Sequence, residues 1–172
     1  MPRVEPLHAQ CIFTVSRRGE FHQHLIYDYY DEEGYYARLL HKPRQYKEEM
    51  LRLAAAMQEE LNQETVRING VLAYPKVLAV SMEHRGSKQL PYIIWIIKFK
   101  GPLKRGVNIF ENISEEEIAE YDYEVIWSFP TKTKILDVEV RGEHEILQGP
   151  TLMIWARKGT RVGGLERITF KL

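Results

Sequence analysis

The sequence predicts an α+β fold that is mainly antiparallel β, sandwich- or barrel-like, with one principal amphipathic helix. Three observations carry this. Period-two alternation of apolar and polar residues recurs from Glu64 to the end of the chain. Turn residues, Asn69-Gly70 foremost, separate those runs at short intervals. A single stripe at three-to-four spacing, Tyr46, Met50, Leu53, Met57 and Leu61, marks a helix before them.

The first element pair lies in "CIFTVSRRGEFHQHLIYDYY". With Arg17-Arg18-Gly19 as the loop and Gly19 left-handed, Val15 pairs with Phe21 and Cys11 with Leu25. That register puts Cys11, Phe13, Val15, Phe21, Leu25, Tyr27 and Tyr29 on the core side, and His22, His24 and Asp28 on the other. A helix through His22, Leu25, Ile26, Tyr29 and Tyr30 is the competing expectation, disfavoured by the aromatic and β-branched residues and by Gly34.

Pro43 suits the first turn of the striped helix, and Glu48 stands four residues before Arg52 on its charged face. "TVRINGVLAYP" reads as a hairpin ended by Pro75. Lys76 to Glu83 and Tyr92 to Lys100 form another around "HRGSKQ", and the unbroken run Ile93 to Ile97 predicts a strand buried on both faces. In "ENISEEEIAEY" a capping box of Ser114 and Glu117 predicts one short helical turn. Alternation then returns in "YDYEVIWSFP", at Leu136, Val138 and Val140, at Leu152, Ile154 and Ala156, and at Ile168, Phe170 and Leu172.

A chain of 172 residues suffices for one core, so a single domain over 1-172 is expected. A weak seam near 62-65 separates a hairpin plus helix, 1-62, from a sandwich-like part, 64-172. The one cysteine, Cys11, rules out an intramolecular disulfide and a Cys-rich zinc module, and fits a reducing setting. The longest apolar stretch, Tyr92 to Ile97, is too short to span a bilayer as a helix, and the N-terminal segment lacks a basic-then-apolar leader. A cytoplasmic protein without membrane contact is the expectation. Lysine plus arginine equals aspartate plus glutamate at 24 each, which removes any global field for nucleic acid or acidic lipid. The abundance of charge and tyrosine resembles thermophile composition.

Candidate chemistry begins with "FHQHLIYDYYDEEGYY". His22 and His24, ~6.6 Å apart on one strand face, with Asp28 beyond them, are candidate metal ligands that lack a third strong partner. A solvated strand face is the simpler account. The acids Asp28, Asp31, Glu32 and Glu33 miss the calcium-loop pattern, since the sixth residue from Asp28 is Glu33 and the twelfth Leu39. Cys11 sits in an apolar strand, where burial raises a thiol pKa. "ARKGTRVGGLE" matches neither a phosphate loop nor a dinucleotide fingerprint.

Four loops combine glycine with basic residues: Arg17-Arg18-Gly19, Arg85-Gly86-Ser87-Lys88, Lys104-Arg105-Gly106 and Arg157-Lys158-Gly159-Thr160-Arg161. Alternate loops of an antiparallel sheet share an end, so two or more of them would form a basic rim for phosphate oxygens. Lysine, arginine and glycine are also ordinary turn and edge residues.

These features together predict a non-catalytic intracellular interaction module, binding a protein partner or forming a homo-oligomer through strand edges and tyrosines. Nucleic-acid or phosphate-ligand binding through the basic loops is the alternative, and a metal-dependent hydrolase around His22, His24 and Asp28 a third. Whether a cofactor is needed is unknown from the sequence.

Overall fold

The computed structural model describes residues 3–172. Its first hairpin joins β1 (Val4–Val15) to β2 (Glu20–Asp31), with Val15 opposite Phe21 and Cys11 opposite Leu25, the register that the turn chemistry requires. Gly19 has φ +80°, and a Cβ there would come within 2.0 Å of the Gly101 carbonyl oxygen, so the loop admits only glycine without displacement. The helical expectation for this segment fails, because β2 finds hydrogen-bonded partners on both sides.

Two helices follow, α1 (Tyr35–Leu39) and α2 (Pro43–Gln63). The first was not legible. It forms because buried Asp31 accepts the Tyr36 N–H on Oδ2 at 2.9 Å and Gly34 takes a left-handed conformation at φ 61°. The second starts with Pro43 in its first turn, as expected, and buries Met50 and Leu61.

The remaining strands are β3 (Thr65–Ile68), β4 (Val71–Ala73), β5 (Lys76–His84), β6 (Pro91–Lys100), β7 (Val107–Ile118), β8 (Asp122–Ser128), β9 (Lys134–Glu139), β10 (Glu143–Leu147), β11 (Thr151–Ala156) and β12 (Arg161–Lys171). They make a seven-stranded sheet, β10-β11-β8-β1-β2-β6-β5, and a five-stranded sheet, β4-β3-β7-β12-β9. β1 and β8 run parallel, and the other pairings among the described residues are antiparallel. The fold is therefore α+β and mostly antiparallel. The larger sheet draws strands from both sides of residue 64.

One face of the seven-stranded sheet is covered twice over. Against the five-stranded sheet it packs Phe13, Phe21, Phe99 and Trp127, which meet Phe110, Ile168 and Phe170. Phe13 stacks on Trp127 at a centroid separation of 4.0 Å, and Phe110 meets Trp127 edge-on at 4.7 Å. Against α2 it packs Met82, Ile93, Trp95 and Ile97, and the Trp95 indole donates to the Leu53 carbonyl at 3.3 Å. Each fully buried large side chain contributes roughly 1.5–3 kcal/mol. Close approach helps: a Cβ on Gly101 would lie 2.3 Å from Ile68 Cγ1.

Two expectations are corrected. Ser114 and Glu117 belong to strand β7, where Ser114 pairs with Gly164 and Glu117 with Val162 across a bulge; inter-strand hydrogen bonds to β12 displace the capping box. Strand β6 is not buried evenly on both faces. Ile93, Trp95 and Ile97 are buried, whereas Ile94 and Ile96 on the outer face are half-buried. Among the described residues no helix is long and apolar enough to cross a membrane.

Candidate ligand cavity

Where the C-terminal end of α2 wedges beside the five-stranded sheet, the layers do not close completely. A cavity of about 620 Å³ lies there, partly open to solvent. Phe13, Phe110 and Trp127 from the aromatic core line its apolar part, Tyr27, Tyr121 and Tyr123 also line it, and exposed Glu60, Gln63, Glu115 and Glu117 mark its mouth. A space this large exceeds a packing void by far and falls in the usual range for small-ligand pockets.

Polar side chains enter it from both layers. Gln23, on the inward face of β2, donates from Nε2 to the Cys11 Sγ at 3.3 Å. Asn112, on the inward face of β7, donates from Nδ2 to Glu64 Oε2 at 3.2 Å, while its own Oδ1 is buried and without a partner. Glu64 follows the last turn of α2 in extended conformation, and Glu166 comes from β12 two residues before the core residue Ile168.

Burial sets the protonation behaviour of these groups. It raises the Glu64 carboxyl, helped by the charges of Glu60 and Glu117 and opposed by the Asn112 donor. It pushes Glu166 up to about 6, with Glu64 adding to the shift. Tyr27 and Tyr121 are raised chiefly by burial, and Tyr123 is pushed to about 12 by burial and then by Glu166 and Glu117. The phenols therefore stay neutral donors. Burial likewise pushes the Cys11 thiol up to about 12, which makes it a poor nucleophile.

The cavity's charge has one sign. Among the described lining residues there is no lysine, arginine or histidine, and the charges of Glu60 and Glu117 act on Glu64, whose charge acts in turn on Glu166. Helix α2 also presents its C-terminal end with no basic residue in the last turn, so its dipole adds negative potential.

The residues singled out from sequence lie elsewhere. His22, His24 and Asp28 occupy the outer face of β2: His24 pairs with Ile12 and Ile96 on the neighbouring strands, and Asp28 forms an ion pair with Arg85 and lies 3.7 Å from His8 Nδ1. Among the described residues no group of three or more His, Cys, Asp or Glu is placed to hold a metal ion. The basic loops divide two and two. Arg17, Arg18, Lys104 and Arg105 share the end of the large sheet where Gly101 N–H bonds the Gly19 carbonyl at 3.0 Å. Arg85 and Lys88 share the opposite end with Arg157, Lys158 and Arg161. Carboxylates answer much of that second set: Arg85 pairs with Asp28, Arg157 with Asp122 at 3.4 Å, and Arg161 with Glu116 at 3.6 Å.

The cavity residues were missed although a signal for them exists. Gln23 falls between Phe21 and Leu25, Asn112 two after Phe110, and Glu166 two before Ile168, all at inward positions of their alternation. A polar residue at a core position of a strand is the mark of a lined cavity or a buried network.

No family model matches the chain, and no curated protein sequence matches it. Among solved structures, it is similar to the folded domain of LppM from Mycobacterium tuberculosis at a TM-score of 0.45 and 8% identity, covering 98% of this chain and 91% of that one. It also resembles an aminopeptidase N family protein from Idiomarina loihiensis at TM-score 0.43 and 10% identity, covering 94% of this chain and 29% of that one. An M1 zinc metallopeptidase from Deinococcus radiodurans, with TM-score 0.41 and 10% identity, is matched over 96% of this chain and 42% of its own. The chain thus spans less than half the length of either peptidase. Resemblances this weak say nothing about activity.

Proposed function

We propose that the chain is a binding module, acting by binding rather than by catalysis, and that its cavity takes a small organic cation. The supporting observation is the concentration of glutamates on aromatic walls, with no basic side chain among the described lining residues, in a protein whose total charge is zero. An ammonium or guanidinium group seated there would meet Glu64 and Glu166, and the unpartnered Asn112 Oδ1 would accept one of its N–H groups. The apolar part of the ligand would lie on Tyr27, Tyr123 and Trp127, where a cation over a ring gains roughly 0.5–2 kcal/mol. An anion would pay for approaching several carboxylates at once without a compensating positive charge among the described lining residues.

A thermal-shift series tests this reading. The probes are phenethylamine and spermidine, against benzyl alcohol as a neutral control and phenylpropionate as an anionic one. The amines are expected to raise the melting temperature and the other two to leave it unchanged, with the Glu64→Gln, Glu166→Gln double variant losing the response. Equal shifts from neutral, anionic and cationic probes would overturn the assignment.

A further inference from the structure

The outer face of the seven-stranded sheet carries a largely apolar band that no other element among the described residues covers. Its strand registers align Met153, Ile126, Ile12, His24 and Ile96 in one transverse row. The adjacent row runs Trp155, Glu124, Gln10, Ile26 and Ile94, with Gln10 donating to Glu124 at 2.6 Å between the apolar ends. These apolar side chains are half-buried by their strand neighbours, and none belongs to the apolar clusters found among the described residues. The rows flanking the band differ in charge. On one side stand His22, Lys98 and Lys76, and on the other Glu83, Tyr92, Asp28, His8 and Asp122, where Asp28 also pairs with Arg85.

We propose that this face docks a second copy of the chain, related by a two-fold axis that lies in the interface and runs across the strands, between the two apolar rows. Such an axis sets each strand against itself with its direction reversed, so the basic row meets the acidic row. Lys76 then faces the partner's Glu83 and His22 the partner's Asp28, while Met153 packs on the partner's Trp155, Ile96 on the partner's Ile94 and His24 on the partner's Ile26, and Ile12 covers the partner's Gln10. Self-complementarity of this kind is what an isologous interface requires. The area is sufficient. Six strands ~4.8 Å apart span ~24 Å and four rows ~6.6 Å apart span ~20 Å, a projected area of about 500 Å² per copy and about 1,000 Å² in all, the lower end for a specific interface. The strands of the two sheets would cross at roughly 30°, as stacked twisted sheets do.

Sedimentation velocity over micromolar to hundreds of micromolar protein tests the proposal on the full chain. The expected result is a monomer–dimer equilibrium that Ile12→Lys abolishes with an unchanged far-ultraviolet circular dichroism spectrum. Lys76→Glu, at an exposed position that does not risk the fold, should weaken association at least tenfold, and the double variant Lys76→Glu, Glu83→Lys should restore it. A monomer at every concentration would overturn the proposal, as would a dimer indifferent to Lys76→Glu and Ile12→Lys. In a monomer, binding of this face to liposomes or to an apolar peptide would identify a different occupant.

Discussion

Glu64 and Glu166 reach one cavity from different elements, the end of α2 and strand β12, and the charge of Glu64 adds to burial in holding the Glu166 carboxyl at about 6. Neither meets a basic side chain among the described residues that line it.

A dependence of stability on pH follows. The ordinary value for Glu166 is 4.5, so between 4.5 and about 6 the folded protein holds a proton that the unfolded chain has released. The contribution is fully present below the unfolded value, is lost as pH rises through about 6, and leaves a constant penalty above it. Glu166→Gln removes that penalty, and chemical denaturation at neutral pH should show a gain of about 1–2 kcal/mol that disappears at the acid end. A loss of stability at neutral pH would mean that the carboxylate is satisfied by a partner.

Asn108 is wholly buried and closes the loop between β6 and β7. Its Oδ1 accepts from the Asn69 side chain and the Lys104 N–H, both at 2.9 Å, and its Nδ2 donates to the carbonyls of Lys104 at 2.8 Å and Gly106 at 3.0 Å. Asn108→Ala strands these partners, and a loss of about 3 kcal/mol in urea denaturation is expected. Asn108→Asp keeps the acceptor but loses both donations, and should cost nearly as much.

Two glycines of similar backbone conformation separate strain from close approach. Gly163 has φ +82° and a Cβ there would lie 2.1 Å from the Glu115 carbonyl oxygen, whereas Gly159 has φ +88° with open space around it. Gly159→Ala should cost about 1 kcal/mol, the left-handed penalty alone. Gly163→Ala should cost at least twice as much and, because Gly163 lines the cavity at the bulge facing β7, also perturb tyrosine fluorescence from Tyr121 and Tyr123.

The local parts of this fold were legible where turn chemistry decides them. Gly19 and Asn69-Gly70 set their hairpins, and the first of these fixed which face of β2 carries His22 and His24. The parallel pairing of β1 with β8 was not, because the two strands meet across more than a hundred residues and no local signal encodes that choice. The same distance hid the cavity. Gln23, Asn112 and Glu166 each look like a single polar interruption in an apolar alternation, and only the packing of β2 against β7 and β12 gathers them. The "FHQH" histidines drew attention instead because residue type is visible locally whereas convergence is not.

Isothermal titration calorimetry of phenethylamine near pH 6, run in two buffers of different ionisation enthalpy, tests the central claim most directly. Seating a cation beside Glu64 and Glu166 lowers their pKa values, so binding should release protons to the buffer, and the observed heats should differ between buffers by that amount. Glu166→Gln should shrink the release and weaken binding at least tenfold. Binding with no proton release and no sensitivity to Glu166 would contradict a cation site in this cavity.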